Sequence, residues 1–142
     1  MMDRQTNLKW GLISFLAVLG LVRPLLSITD TYEVLGGSSW APVIVTVLIA
    51  ILWVGVVVIK RDPNPLVALL ATGGLYGVLA ILLQQIIWNF FLGGPPEEAP
   101  SSAPVLVMSW ASIVVTNVIW GTFLGLVTLG LRRLLPQRGA EA

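Results

Sequence analysis

The chain has 142 residues, of which 56% are hydrophobic and 11% are charged, and its formal net charge is +1. This fraction of charged residues is too small to cover the surface of a soluble domain, and the mean hydropathy is high, at +0.91. The composition therefore predicts an integral membrane protein. The sequence contains no cysteine and no histidine, which excludes disulfides, thiolate metal sites, cysteine nucleophiles and the commonest general base.

Four apolar runs, at residues 10–28, 41–59, 66–92 and 104–131, are long enough to cross a hydrocarbon core of about 30 Å as helices. Lipid offers no partner to unpaired backbone groups, so we expect all four to be helical. The predicted fold is an all-α bundle of four transmembrane helices in one membrane domain, 1–142. Its predicted loops are 29–40, 60–65 and 93–103.

The first span contains Arg23 and Pro24 within the sequence GLVRPLLSI. Pro24 has no N–H and clashes with the carbonyl group four residues back, so it should kink the helix and free the carbonyl of Gly20. No small-x-small cleavage site follows this span, and we expect it to be retained rather than removed as a signal peptide.

Arg23 lies about 20 Å along the first helix from Trp10. An arginine that faces lipid at that depth would cost about 2.5 to 3.5 kcal/mol, so polar partners are expected.

Two main interpretations of Arg23 stay open. The first is a buried polar lock, in which Arg23 bonds the freed carbonyl and side-chain amides; the second is an outward-facing cleft that binds an anion or a polar ligand. Snorkelling of the side chain, or a salt bridge to another subunit, would also accommodate the charge. The candidate cluster comprises Arg23, Gln84, Gln85, Asn89, Ser112, Thr116 and Asn117.

The second and fourth spans begin alike, with SSWAPVIV at 38–45 and SSAPVLV at 101–107, and they end in IKR and LRR. One interpretation is the duplication of a helical hairpin. The other is convergence, because a serine N-cap followed by a proline in the first turn is a favourable helix start.

Glycines mark one face of the third and fourth spans. Gly73 and Gly77, like Gly121 and Gly125, have the GxxxG spacing that lets another backbone approach. Both pairs lie about 9 to 16 Å from the same end of their spans. Because these spans are antiparallel neighbours, we predict that the two glycine faces pack together; contact with another copy of the chain is the competing interpretation.

Tryptophans fall near the predicted ends of the spans, where amphipathic rings anchor a protein at the membrane interface. The predicted anchors are Trp10, Trp40, Trp88 and Trp110.

The charges predict an orientation. Seven of the eight lysines and arginines precede the first span, lie in loop 60–65 or follow the fourth span. Loops 29–40 and 93–103 contain acidic residues but no lysine or arginine. The positive-inside rule therefore predicts cytoplasmic termini and external loops 29–40 and 93–103, with the protein in the plasma (inner) membrane.

Catalytic chemistry is not apparent in this sequence. No span contains Asp, Glu, Lys or His, and no nucleophile–base pair, metal cluster or phosphate loop can be assembled. We expect no enzymatic activity, metal or cofactor, and no nucleic-acid partner, because the basic residues are short clusters flanking the spans.

Three functions fit this pattern. The first is a non-catalytic accessory or assembly subunit of a membrane complex, whose small-residue faces contact other subunits or a second copy. The second is a small oligomeric transporter or channel with an outward-facing polar cleft around Arg23. The third is a protein that binds a lipid or another ligand within the bilayer.

Overall fold

The structure, a computed structural model, describes residues 9–28, 33, 36 and 39–135, with only the backbone of Ile28. The secondary structure of these residues is helical and includes no strand. Four helical segments, Trp10–Ser27, Ala41–Ile59, Pro65–Phe91 and Ala103–Leu134, are long and apolar enough to cross a membrane. Most of the predicted loop 29–40, and the charged residues Arg4, Asp30 and Arg138 used to predict the orientation, lie outside the described residues.

The helices are α1 (Trp10–Gly20), α2 (Val22–Ile28), α3 (Ala41–Ile59), α4 (Pro65–Ile86) and α5 (Ala103–Leu134). A π-helical turn, Ile87–Phe91, continues α4. The last three α-helices begin with a proline in the first turn, where its missing N–H has no helical acceptor to lose. Helix α5 extends beyond the predicted 104–131 because its last turn includes Arg132 and Arg133, two good helix formers that lie outside the apolar run.

The first span is interrupted between α1 and α2. Leu21 forms a turn in which its N–H donates to the carbonyl of Val18 at 3.0 Å, and the N–H of Leu25 then donates to Leu21 at 3.1 Å. Pro24 has no N–H to donate to the carbonyl of Gly20, so the regular ladder cannot run through this position. The interruption lies within the predicted Gly20–Pro24 segment.

Helices α4 and α5 are antiparallel and their backbones touch. A Cβ atom built on Gly73 would overlap the backbone oxygen of Asn117, and one built on Gly121 would overlap that of Leu69. A backbone oxygen cannot rotate away as a flexible side chain can. The two helices can therefore be this close only because both positions are glycine.

The two outer glycines of the same faces extend this contact along the helices. A Cβ atom on Gly77 would lie 3.0 Å from the Cα of Val114, and one on Gly125 would lie 2.8 Å from the Cα of Leu66. All four glycines thus lie between α4 and α5, where Gly73 and Gly121 meet each other and Gly77 and Gly125 meet the backbones of Val114 and Leu66. We call this region, Gly73, Gly77, Gly121 and Gly125 with their backbone neighbours, the glycine contact.

Helices α1 and α3 complete the core beside the glycine contact. The indole N–H of Trp53 donates to the backbone oxygen of Leu16 at 2.9 Å, and both side chains are buried. Trp53 also meets the ring of Tyr76 edge to face, with 5.8 Å between centroids. The core comprises Leu16, Ala17, Trp53, Val57, Leu69, Tyr76 and Leu124.

One end of the bundle is basic and is closed by hydrogen bonds. We call it the basic end: here α1 and α4 begin and α3 and α5 end. Arg61 adopts a positive φ of 49°, and the N–H groups of Arg61 and Asp62 donate back to Val58 and Val57. This is the Schellman arrangement that terminates helices, usually with glycine at the position of Arg61.

A second arginine reinforces that helix end. The guanidinium of Arg132, in the last turn of α5, donates to the backbone oxygen of Asp62 and, at 3.2 Å, to that of Val57. Asp62 is only 4% exposed and its carboxylate accepts the N–H of Asn64 at 2.9 Å. The end of α5 is thereby fixed to the end of α3. The opposite end of the bundle, which includes Glu97 and Glu98, we call the acidic end.

Candidate functional site

A partly open cleft of about 400 Å³ lies on the acidic side of the glycine contact. Its walls come from α2, α4, α5 and the first turn of α3. The lining residues are Arg23, Pro24, Ser27, Pro42, Tyr76, Ala80, Gln84, Ser112, Ile113, Thr116 and Asn117.

Helical periodicity explains which residues of α4 and α5 reach this cleft. Tyr76, Ala80 and Gln84 are spaced at intervals of four and therefore share one face of α4. On α5, Ser112 and Thr116 share a face in the same way. On α4 this set continues, toward the acidic end, the side of the helix that packs in the glycine contact. On α5, Ser112 and Thr116 lie about 140 to 180° around the helix from Gly121, so the cleft follows a different side of that helix.

Asn117 connects the two regions. Its backbone oxygen lies against Gly73 in the glycine contact, while its side chain lines the cleft. The side-chain amide also donates to the carbonyl of Ile113 at 2.8 Å. The close approach of α4 and α5 therefore sets the floor of the cleft.

Five of the seven residues of the predicted polar cluster line this cleft: Arg23, Gln84, Ser112, Thr116 and Asn117. The other two, Gln85 and Asn89, do not. The amide of Asn89 instead donates to the carbonyl of Gln85 at 2.7 Å in an exposed position. Gln85 lies about 140 to 180° around α4 from Ala80 and Tyr76, the residues that line the cleft with Gln84, and therefore faces away from it.

The contacts expected of a buried lock at Arg23 are not found among the described residues. Arg23, Ser112 and Thr116 are exposed, and Gln84 and Asn117 are only half-buried. Among the described residues, Arg23 donates no hydrogen bond to the carbonyl of Gly20 or to a side-chain amide. Because the cleft is partly open, protein atoms do not enclose the guanidinium.

The hydroxyl groups of the cleft differ from those elsewhere in the molecule. Each described threonine outside the cleft donates to the carbonyl four residues earlier at 2.8 Å: Thr46, Thr72, Thr122 and Thr128. That bond is the usual way for a helical threonine to satisfy its hydroxyl in apolar surroundings. Thr116, the remaining described threonine, makes no such bond, and neither do Ser27 and Ser112 in the same cleft.

Among the described lining residues, Arg23 carries the one formal charge and none is acidic. Asp30 lies outside the described residues. Glu33, the described acidic residue of the first connection, forms no ion pair with Arg23. The site therefore combines one cation with several neutral hydrogen-bond donors, which is the chemistry that binds an anionic group.

The four predicted tryptophan anchors are close to helix ends. Trp10 begins α1 and is 60% exposed, and Trp40 precedes α3 and is 71% exposed. Trp88, in the π-helical turn, and Trp110, in the second turn of α5, are half-buried. None of the four belongs to the core that contains Trp53.

Sequence reasoning missed part of the site. Tyr76 and Ala80 lie eight and four residues before Gln84, so helical periodicity from that glutamine was a usable signal for both. The contribution of Pro42 had no such signal, because it depends on how α3 is placed against α2 and α5. The contact between Arg132 and the end of α3 was likewise missed, since nothing in a short basic loop specifies a partner 70 residues away.

The described residues contain no group of three or more acidic residues that could hold a metal ion. The comparisons add no family: the chain matches no protein-family model, no curated protein and no solved structure.

Proposed function

We propose that this chain is a non-catalytic integral membrane protein that binds an anionic ligand in the Arg23 cleft from the outer side of the membrane. The four helical segments are apolar enough to cross a bilayer. The positive-inside rule then places both termini and the basic end in the cytoplasm and the acidic end outside, with the plasma (inner) membrane as the location. In this orientation the cleft opens in the outer half of the bundle.

The observation that carries the proposal is the set of unbonded donors at the cleft. The guanidinium of Arg23 and the hydroxyl of Thr116 both line it and make no hydrogen bond within the described residues. A guanidinium held beside low-dielectric walls attracts an anion more strongly than one in bulk water. Arginine also presents paired N–H groups that match the oxygens of carboxylate and phosphate.

Binding is a better fit than conduction through a single copy. On the basic side of the cleft, the described residues close the bundle through the glycine contact and the ring pair of Trp53 and Tyr76. A passage would require α4 and α5 to separate, although their backbones are in contact. A transporter or channel built from this chain therefore needs either a second conformation or a pathway between copies.

Thermal unfolding in a neutral detergent tests the proposal. The panel would run from chloride and phosphate to octanoate, at matched ionic strength because salt screens exposed charges. Since a ligand that binds only the folded state stabilises it, at least one anion should raise the Tm of the wild type and leave that of Arg23→Gln unchanged. Arg133→Gln, which removes an exposed arginine outside the cleft, is the charge-matched control. If no anion raises the Tm of the wild type more than that of Arg23→Gln, the proposal is overturned.

The orientation has its own test, made simple by the absence of cysteine from the chain. Single cysteines would replace Pro63, in the connection at the basic end, and Ser101, in the connection before α5; both positions are exposed. In intact cells a membrane-impermeant maleimide should label the Ser101→Cys protein. The Pro63→Cys protein should react only after the membrane is permeabilised, and the reverse pattern would contradict the orientation.

A second candidate function is that of an accessory or assembly subunit, and the exposure of α3 favours it. Only Trp53 and Val57 are buried among the 19 residues of this helix. Its exposed large apolar residues are Val43, Ile44, Val47, Leu48, Ile51, Leu52 and Ile59. Lipid can cover such a face, and so can a helix of another subunit.

Native mass spectrometry after gentle-detergent purification from the native host distinguishes an α3 face covered by lipid from one covered by another subunit. A stoichiometric second protein would support the subunit function and identify the complex. A monomer or homo-oligomer would contradict it and leave the ligand cleft as the functional feature.

A further inference from the structure

We infer that the ligand of the Arg23 cleft is an anionic amphiphile, in which one singly charged oxyanion group is joined to an apolar chain. The inference rests on the proposed function, since it specifies which class of anion the cleft takes. Two sources supply this chemistry, an anionic lipid of the bilayer and a water-soluble organic anion.

The size of the cleft argues against a small inorganic ion as the full occupant. A volume of about 400 Å³ is within the range of pockets that hold organic ligands, roughly 300 to 1,000 Å³. Chloride or phosphate would occupy only the part next to the guanidinium. The rest of the cleft includes apolar side chains, those of Pro24, Pro42, Ala80 and Ile113, which offer an inorganic ion no hydrogen bond.

The lining contains both polar and apolar side chains. Arg23, Ser112 and Thr116 offer N–H and O–H donors to an oxyanion, whereas Pro24, Pro42 and Ile113 offer only apolar surface. Water against these apolar side chains is unfavourable, and an apolar chain that packs against them would release it. The ligand that satisfies both kinds of side chain has an oxygen-rich anionic head and an apolar body.

The exposed surface beside the cleft is also apolar. Val115 and Ile119, on either side of Thr116 along α5, are 55% and 63% exposed, and Val43, next to Pro42, is 48% exposed. In the proposed orientation these side chains face the acyl chains of the outer leaflet. An amphiphile can therefore place its head in the cleft while its chain stays in an apolar environment.

The charge of the head follows from the charge of the site. Arg23 supplies one positive charge, and no lining residue in the described part of the chain supplies a negative one. A single negative charge, as on a phosphodiester or a carboxylate, neutralises the site. A zwitterionic head would bring a second cation toward the guanidinium, so we expect discrimination between heads that share the same chains.

The test compares probes matched in chain length, added to the full-length protein in dodecyl maltoside. Dihexanoyl-phosphatidylglycerol should raise the Tm by about 5 to 10 °C at 100 times its Kd, with little effect from dihexanoyl-phosphatidylcholine or inorganic phosphate. Octanoate should stabilise in the same direction if soluble organic anions are also accepted. Arg23→Gln should lose the phosphatidylglycerol effect, Arg23→Lys should retain part of it, and Arg133→Gln should retain all of it.

Two outcomes overturn the inference, and they bear differently on the proposed function. If inorganic phosphate stabilises the protein as strongly as phosphatidylglycerol, and does so through Arg23, the cleft binds anions without needing an apolar chain; the proposed function then stands and the inference fails. If phosphatidylcholine acts as strongly as phosphatidylglycerol in both the wild type and Arg23→Gln, the head charge is irrelevant and both fail.

A second variant keeps the test decisive if Arg23→Gln does not fold. Ala80 lines the cleft from α4, and Ala80→Phe would fill part of the apolar space while keeping Arg23. This variant should lose most of the phosphatidylglycerol effect. Native mass spectrometry of the wild type from nanodiscs that contain both lipids should show retained phosphatidylglycerol; retention of phosphatidylcholine alone would contradict a lipid source.

Discussion

The two halves of the bundle use arginine in different ways. At the basic end, Arg132 donates to two backbone oxygens, those of Asp62 and Val57, and so joins α5 to the end of α3. In the other half, Arg23 lines a partly open cleft and donates to no described residue. The same side chain thus completes a structural contact in one half and leaves its hydrogen-bonding capacity free in the other.

The hydroxyl groups follow the same division. Thr72 and Thr128 are fully buried and bonded to their own helices, whereas Thr116 in the cleft is exposed and unbonded. In the basic half these polar groups are bonded within the packed bundle, while the acidic half retains donors that the described residues do not use. Substitutions in the basic half should therefore change stability, and substitutions in the cleft should change binding.

The largest effect is expected at the centre of the glycine contact. In Gly73→Ala or Gly121→Ala the new methyl group would overlap a backbone oxygen of the facing helix, so α4 and α5 must move apart. Overpacking costs about 1 to 3 kcal/mol and occasionally more, and we expect the upper part of that range or loss of folding. Thermal unfolding and yield in detergent would measure the effect.

Gly130→Ala is the matched control, because a Cβ atom there would meet nothing within 4 Å. It should be neutral or slightly stabilising, since alanine is the better helix former by about 1 kcal/mol. Equal effects of the three substitutions would mean that helix propensity, not helix contact, explains the glycines.

The next largest effect is expected at Arg132. Arg132→Met keeps much of the side-chain length but removes both hydrogen bonds to the end of α3. Hydrogen bonds from charged groups contribute about 1.5 to 3 kcal/mol when buried; this arginine is half-buried, so we expect a loss of about 2 kcal/mol in unfolding free energy.

Arg133→Met removes the same charge from an exposed neighbour and should change stability by less than about 0.5 kcal/mol. A chemical denaturation series in mixed micelles would compare the two variants. If both lost the same amount, net charge rather than the contact with α3 would be the cause.

The extent to which the sequence predicts this fold can be judged from particular residues. The apolar runs predict the helices well because length and hydropathy depend on local composition: α3 occupies 41–59, as predicted. Even there, the sequence did not predict that Arg61 would adopt a positive φ. That conformation is set by how the chain turns back toward α4, which is a tertiary effect.

The cleft shows the same limit. The predicted polar cluster, chosen partly by distance along the helices, grouped Arg23 with Asn117, and both line the cleft. Depth says nothing about rotation around the helix axis, however, so the predicted cluster included Gln85 and Asn89, which face elsewhere. Whether the arginine was bonded or free depended on distances between helices, which no local pattern specifies.

A smaller effect is expected for the core tryptophan. Trp53→Phe removes the hydrogen bond to Leu16 in a buried site and leaves a small void, for a combined cost of about 1 to 2 kcal/mol. Trp120 is 38% exposed and stacks on Phe123 with 5.6 Å between centroids, so Trp120→Phe should be close to neutral. Thermal unfolding followed by the fluorescence of the remaining tryptophans would rank the two, and a larger loss at Trp120 would contradict the assignment of Trp53 to the core.

The smallest change in stability is expected at Thr116, and it makes the sharpest comparison. Thr116→Val keeps the shape of the side chain and removes a hydroxyl that bonds to no described residue, so unfolding without ligand should change by less than about 0.5 kcal/mol. If that hydroxyl binds the oxyanion, the affinity for the anionic ligand should fall about 2- to 10-fold, equivalent to one hydrogen bond.

Thr72→Val removes a hydroxyl that is bonded and buried; it should lower stability by about 0.5 to 1.5 kcal/mol and leave the affinity unchanged. A Thr116→Val protein that loses as much stability as Thr72→Val, with no loss of affinity, would show that the two hydroxyls have the same structural role. The distinction between a packing half and a binding half would then be wrong for Thr116.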